Sequence, residues 1–221
     1  MEKINNYIEH TLLNPCAAEK DIEKLTKQAL ENKFFGVCIN PNYVELASTL
    51  LKGSTVAIVT VVNFPLANNT IDMTLYQTER VLALGAQEVD TVLNLSALKN
   101  KDYAKVEGDI KKTKEICSNH NLKVILEVDL LTNQEIIEAC NCAISAGADF
   151  VKTSTGFVKN GLGATVEAVK LMYETTKNAE LKVKASGGIK DYNKAKALIE
   201  AGAARLGTSS GVEIMTGRIS I

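Results

Sequence analysis

The chain has 221 residues, and its 25 Lys and Arg against 26 Asp and Glu leave a formal net charge of −1. That balance argues against a nucleic-acid-coating protein and against a polybasic membrane binder. A hydrophobic fraction of 46% beside 23% charged residues excludes disorder, and the length suits a single α/β barrel of roughly 200–250 residues.

The opening Met1–Asn6 has no apolar stretch and reads as no secretory signal. Short apolar runs then alternate with longer amphipathic ones. The strand candidates are Tyr7–Leu13, Gly36–Asn40, Val56–Asn63, Glu88–Asn94, Lys123–Val128, Asp149–Thr153, Lys182–Ala185 and Arg205–Thr208. The longest apolar runs, such as Val56–Val62, are strand-sized, far short of the roughly 20 residues of a membrane span. Helical stripes lie between the strands: Ala18, Ile22, Leu25 and Ala29; Val106, Ile110, Thr113 and Cys117; Ile136, Ile137, Cys140 and Ile144. Strict β-then-α alternation implies a parallel sheet. Eight such units, opened by a short N-terminal strand, fit a closed (β/α)8 TIM barrel better than an open sheet. No Ser/Gly/Pro-rich linker divides the chain, so residues 1–221 read as one domain. The five cysteines, Cys16, Cys38, Cys117, Cys140 and Cys142, are odd in number and scattered, which reads as free thiols. Cys140 and Cys142 read as buried helix cysteines.

An internal repeat supports the barrel. Gly85-Ala86, Gly147-Ala148 and Gly202-Ala203 each precede a strand, at spacings of 62 and 55 residues, about two βα units apart. Each Gly suits the residue just past a helix end. Asp90, Lys152 and Gly207 all stand five residues after their Gly. Alternate strands of such a barrel feed one layer of inward side chains. Asp90 and Lys152 are therefore expected in the same layer.

Lys152 and Lys184 both fall at the C-terminal ends of neighbouring strands, where a barrel carries its active site. A nearby ammonium and partial burial lower a lysine pKa, and a neutral amine can attack a carbonyl to form a Schiff base. On these grounds either lysine could be the nucleophile. Asp90 could relay protons through water or hold a buried salt bridge. Glu9 is a weaker case of the same kind, while His10 alternates to the opposite side and reads as structural. Gly187-Gly188 and Gly207–Ser210 follow the last two strands, the usual phosphate site of a barrel. His10 and His120 are far apart and no His-x-His or His-Glu-x-x-His pair exists, so no metal is expected. A nucleotide P-loop is also lacking.

Across nearly its whole length the chain resembles the deoxyribose-phosphate aldolase family. The resemblance runs from Ile8–Leu13 to Leu206–Ser210 and is most specific at Glu88-Val89-Asp90, Val151–Gly156 and Lys184–Gly188. It implies a metal-free and cofactor-free class I aldolase of the cytoplasm, acting in deoxyribose catabolism. Such an enzyme interconverts 2-deoxy-D-ribose 5-phosphate with acetaldehyde and D-glyceraldehyde 3-phosphate. By resemblance, Lys152 forms the Schiff base, Lys184 lowers its pKa, and Asp90 moves protons with a water. Glu9, Cys38, Thr153, Thr155, Gly156, Gly187, Gly188, Gly207, Ser209 and Ser210 would surround the substrate. Cys38 matches a family cysteine that the mechanism does not need. The implied partners are a small phosphosugar and further copies of the chain, with no nucleic acid and no membrane.

Four departures stand out. Glu9 replaces a common Asp, Val128 a common Thr, and Asn63 a common Gly, and the end at Gly217–Ile221 lacks the tyrosine-ended tail of some members. Two other readings stay open. One is a lysine-dependent barrel of transaldolase or keto-acid aldolase type. The other is a sugar-phosphate-binding barrel without catalysis, which would leave the lysines and Asp90 without purpose.

Overall fold

The structure is a computed structural model that describes residues 3–217. Among them, eight parallel strands close into one barrel in sequence order. The strands are β1 (Ile8–Leu12), β2 (Gly36–Ile39), β3 (Ala57–Val62), β4 (Glu88–Val92), β5 (Asn121–Ile125), β6 (Phe150–Lys152), β7 (Lys182–Ser186) and β8 (Ala203–Thr208). The helices are α1 (Glu19–Asn32), α2 (Val44–Leu50), α3 (Ile71–Ala83), α4 (Leu95–Lys99), α5 (Tyr103–Cys117), α6 (Asn133–Ser145), α7 (Val166–Thr176), α8 (Tyr192–Glu200) and α9 (Gly211–Thr216). No described helix is long and apolar enough to cross a membrane.

Period-2 alternation divides each strand between two environments. Outward residues such as Ile8, Val37, Val89, Val124, Val151 and Leu206 pack against Ile22, Val81, Ile110, Ile136 and Met172 of the helices in one continuous core. Burial of each such side chain contributes about 1.5–3 kcal/mol, so this outer layer holds the fold. The barrel interior is different. Its apolar part is a small cluster of Leu13, Cys38, Val59 and Val61 with Phe64 against it. Beside it lie buried Glu9, Asp90, Lys123, Lys152 and Lys184, with Glu88 below and the Phe150 ring under Lys123.

The repeat has the expected geometry. Gly85, Gly147 and Gly202 sit just past the ends of α3, α6 and α8 with φ of 110°, 75° and 112°. The following Ala86 and Ala148 amides close back on Val81 and Ala143 at 3.0 Å. Only a residue without Cβ adopts those angles freely, so the glycine ends each helix and aims the next strand.

Some bounds differ from expectation. The β5 ladder covers Asn121–Ile125, and the chain leaves it before Val128, which lies in a short 3-10 turn. β8 begins earlier, at Ala203. Ala18 is the exposed residue capping α1 and not part of its buried stripe. Asn63 has φ 50°, a left-handed value that Gly adopts freely and Asn tolerates. Its side chain accepts from the Asn69 amide at 3.1 Å. The terminal Arg218–Ile221 lies outside the described residues.

Candidate active site

The register builds the site. Lys152 of β6 is paired with Lys184 of β7, Asp90 of β4 with Lys123 of β5, and Glu9 of β1 with Gly207 of β8. All of these positions face the lumen. Gly207 is small for a reason: a Cβ there would come within 3.2 Å of Lys184 Cε and 3.1 Å of Ser186 Cβ. The third member of the repeat therefore leaves room for a neighbour's lysine.

Asp90 is the hub. Its Oδ2 accepts from Lys152 Nζ at 2.8 Å and from Lys184 Nζ at 2.6 Å, and its Oδ1 accepts from Lys123 Nζ at 3.1 Å. Lys184 also donates to Glu9 Oε2. Lys123 lies 2.5 Å from Glu88 Oε2 and 3.5 Å from Glu9 Oε1. Asn121 completes the lower end by donating to Glu88 at 2.7 Å. Three acidic and three lysine side chains are thus paired with one another inside the barrel.

Burial sets the protonation. It disfavours the Asp90 carboxylate, but Lys123, Lys152 and Lys184 outweigh that effect and hold its pKa well below the usual carboxylate range. Burial likewise opposes the Lys184 ammonium, and Asp90 and Glu9 outweigh it, raising the pKa above the ordinary lysine value. Lys123 is raised for the same reasons, with Asp90 and Glu9 as its main partners. Glu88 is lowered, chiefly by Lys123 against its own burial. Cys38 is raised by burial, which keeps it a thiol beside Glu9 and Asp90.

A cavity of about 310 Å³ opens at the C-terminal ends of the strands. Lys152 lines it, as do Thr155, Gly156, Gly187, Gly188, Gly207 and Ser209. The Lys152 side chain is 3% exposed, whereas Lys184 is 0% exposed. Lys152 is therefore the amine that a ligand can reach. Glu9, Cys38 and Thr153 are fully buried and lie behind the cavity wall. Thr153 spends its hydroxyl on the sheet, donating to the Ser186 carbonyl and accepting from the Ser186 amide at 2.9 Å each. Ser210 lies outside the cavity lining, and its amide donates to Thr208 Oγ1 at 2.9 Å. His10 faces outward, bonded to Gln28 at 3.0 Å, with its ring tilted 56° against Phe34.

The turns at the mouth interlock. Gly187 has φ 90°, and a Cβ on Gly163 would come within 2.5 Å of its carbonyl. Ala164 donates to the Gly187 carbonyl at 3.1 Å. Lys190 also lines the cavity and adds a cation beside the two Gly-rich turns. A second cavity, of about 340 Å³, lies between α3 and α5. Its charged lining residues, Lys105 and Asp109, pair with each other at 3.4 Å, and it meets none of the lumen lysines.

Sequence reasoning missed Lys123, Glu88, Glu127 and Lys190. For Lys123 a signal existed: a lysine flanked by Leu122 and Val124 shares the inward parity of a buried strand.

Fold and site together define a barrel enzyme whose reachable lysine stands over a buried charge network. The family model described as DeoC/LacD family aldolase matches residues 7–217, and the chain belongs to that family. It is 49% identical over 220 residues to a deoxyribose-phosphate aldolase of Clostridium perfringens, covering 99% of this chain and 97% of the relative. It is 49% identical over 215 residues to the enzyme so named in Streptococcus sanguinis, covering 97% and 96%. The solved structure of a tetrameric deoxyribose phosphate aldolase from Aeropyrum pernix superposes with a TM-score of 0.88 at 33% identity, covering 98% of this chain and 91% of the other.

Proposed function

We propose that this protein is a class I aldolase that cleaves 2-deoxy-D-ribose 5-phosphate to acetaldehyde and D-glyceraldehyde 3-phosphate through a Schiff base on Lys152. The names borne by its relatives support the substrate. The observation that carries the chemistry is the asymmetry of the two lysines: both bind Asp90 Oδ2, and Lys152 is the one on the cavity.

The steps follow from that geometry. With Lys184 held as the ammonium, Lys152 on the cavity is the amine that attacks. The neutral amine adds to C1 of the open-chain sugar, and the carbonyl oxygen departs as water. A base takes the C3 hydroxyl proton, the C2–C3 bond breaks, and its electron pair moves to the iminium nitrogen. D-Glyceraldehyde 3-phosphate leaves. The enamine takes a proton at C2, and water releases acetaldehyde. Asp90 bridges the two amines and passes protons through water; as a strongly favoured anion it hands a proton on and does not store it. The phosphate rests against Gly187-Gly188 and Gly207–Ser209, with Lys190 as its cation. The same reading makes the protein a cytoplasmic homo-oligomer, in line with the tetramer named for the Aeropyrum relative.

The decisive test is borohydride reduction with acetaldehyde, followed by peptide mass analysis, beside product analysis on 2-deoxyribose 5-phosphate. A two-carbon adduct on Lys152 and release of acetaldehyde are expected. Turnover without any trapped adduct would defeat the reading.

A further inference from the structure

Glu127 has no part in the chemistry described so far, yet the fold holds it in an unusual state. It follows β5 with φ 59° and ψ 60°, a left-handed backbone on a residue that carries a side chain. Such strain persists only where the surroundings over-determine it. Here the flanking amides are tied to the nucleophile's strand: Leu126 donates to the Lys152 carbonyl at 2.8 Å and Val128 to the Thr153 carbonyl at 2.9 Å. The side chain is buried and turns back over that segment. Its Oε1 accepts from the Thr155 amide at 3.0 Å, and its Oε2 accepts from the Thr155 hydroxyl.

The consequence concerns the polarity of the cavity wall. A threonine hydroxyl has one proton and two lone pairs. At Thr155 the proton is given to Glu127, and one lone pair accepts from the Phe157 amide at 3.1 Å. Thr155 lines the cavity, three residues beyond Lys152. What it retains for a ligand is a lone pair, strengthened by the donation to a carboxylate.

We propose that Glu127 is a specificity-determining positioning residue: by taking the only hydroxyl proton of Thr155 it makes that side chain an obligate acceptor, which selects substrates that present a hydroxyl donor there. Resting on the aldolase reading above, the donor is the C2 hydroxyl of the aldehyde that is released in cleavage and taken up in synthesis. A substrate with hydrogen at that carbon offers this lone pair no donor.

Glu127→Gln inverts this polarity at nearly constant shape. The amide oxygen keeps the bond from the Thr155 amide, so its NH2 must face the Thr155 oxygen and donate. The hydroxyl proton is then driven toward the cavity, where it opposes a substrate hydroxyl donor.

The experiment compares acetaldehyde addition to D-glyceraldehyde 3-phosphate and to 3-phosphooxypropanal, which lacks only that hydroxyl. The parent enzyme is expected to favour the hydroxylated aldehyde in kcat/KM. Glu127→Gln should cut that preference roughly tenfold, mainly through KM for the hydroxylated aldehyde. Thr155→Val should lose the preference as well, and Glu127→Gln added to it should change the preference no further. The second variant keeps the test decisive should Glu127→Gln fail to fold. Equal losses on both aldehydes, or an unchanged preference, would overturn the inference alone. A parent that adds acetaldehyde to neither aldehyde would overturn the aldolase reading and the inference with it.

Discussion

Lys152 and Lys184 hold opposite stations on one carboxylate oxygen. They are register partners on adjacent strands, and both donate to Asp90 Oδ2. Their nitrogens are therefore no farther apart than the sum of two hydrogen bonds. One meets the cavity, and the other is sealed between Asp90 and Glu9. Two residues alike in sequence context are thus unlike in what can touch them.

That difference separates two variants. Lys152→Ala removes the reachable amine, so borohydride with acetaldehyde should add no mass. Lys184→Leu keeps that amine but removes the fixed positive charge beside it. Without that charge, Asp90 and Glu9 lose the cation that both of them hold. Activity should fall steeply at neutral pH and partly recover as pH rises, with the adduct still on Lys152. Adduct found on Lys184 in the parent would reverse the two roles.

The network also makes a prediction about stability. Asp90 and Glu88 have lowered pKa values, so their contribution is present above the unfolded values of about 4 and is lost as pH falls through the folded ones. Lys123 and Lys184 are raised, so theirs is present below about 10.4 and is lost as pH climbs through the folded values. Denaturant midpoints should be highest between these limits and fall on both sides. Lys123→Met strips cations from Asp90, Glu88 and Glu9 at once. Breaking a buried pair in this way costs about 3–5 kcal/mol. Chemical denaturation at neutral pH checks it; a loss below about 1 kcal/mol would mean that the carboxylates repartner or take up protons cheaply.

How much of this was legible beforehand follows from where the information lies. The barrel was readable because strand parity and helix stripes are local, and the glycines before β4, β6 and β8 repeat a local helix-ending geometry. The shared layer of Asp90 and Lys152 followed from counting. The choice between Lys152 and Lys184 did not, because exposure of an inward side chain depends on the loops above it. Glu127 was invisible for the same reason: its turn depends on Thr155 across the neighbouring strand. Ser210 read like Ser209 in sequence, yet only Ser209 lines the cavity.

Those two serines give a test of the phosphate position. Ser209→Glu would place a carboxylate at the cavity wall, where it should repel a phosphate held beside Lys190 as proposed. The effect should fall on the phosphorylated sugar far more than on unphosphorylated 2-deoxyribose. Ser210→Glu, placed outside the lining, should discriminate between them much less. Equal discrimination by both variants would move the phosphate toward the start of α9.

The last prediction concerns metal. Glu9, Cys38 and Asp90 bring three donor atoms within 4.8 Å of one another, all of them buried. That spacing resembles a cation site, but the two carboxylates are already engaged by Lys123, Lys152 and Lys184. Burial also raises the Cys38 pKa, so the thiolate that would bind a soft metal is disfavoured. A divalent ion entering here would have to displace or deprotonate ammoniums that the same carboxylates hold in charge balance. Saturating EDTA should therefore leave cleavage of 2-deoxyribose 5-phosphate unchanged, and added zinc should not raise it. Activity lost to the chelator and restored by zinc would show that the carbonyl is polarised by a metal, and the lysine mechanism would have to be abandoned.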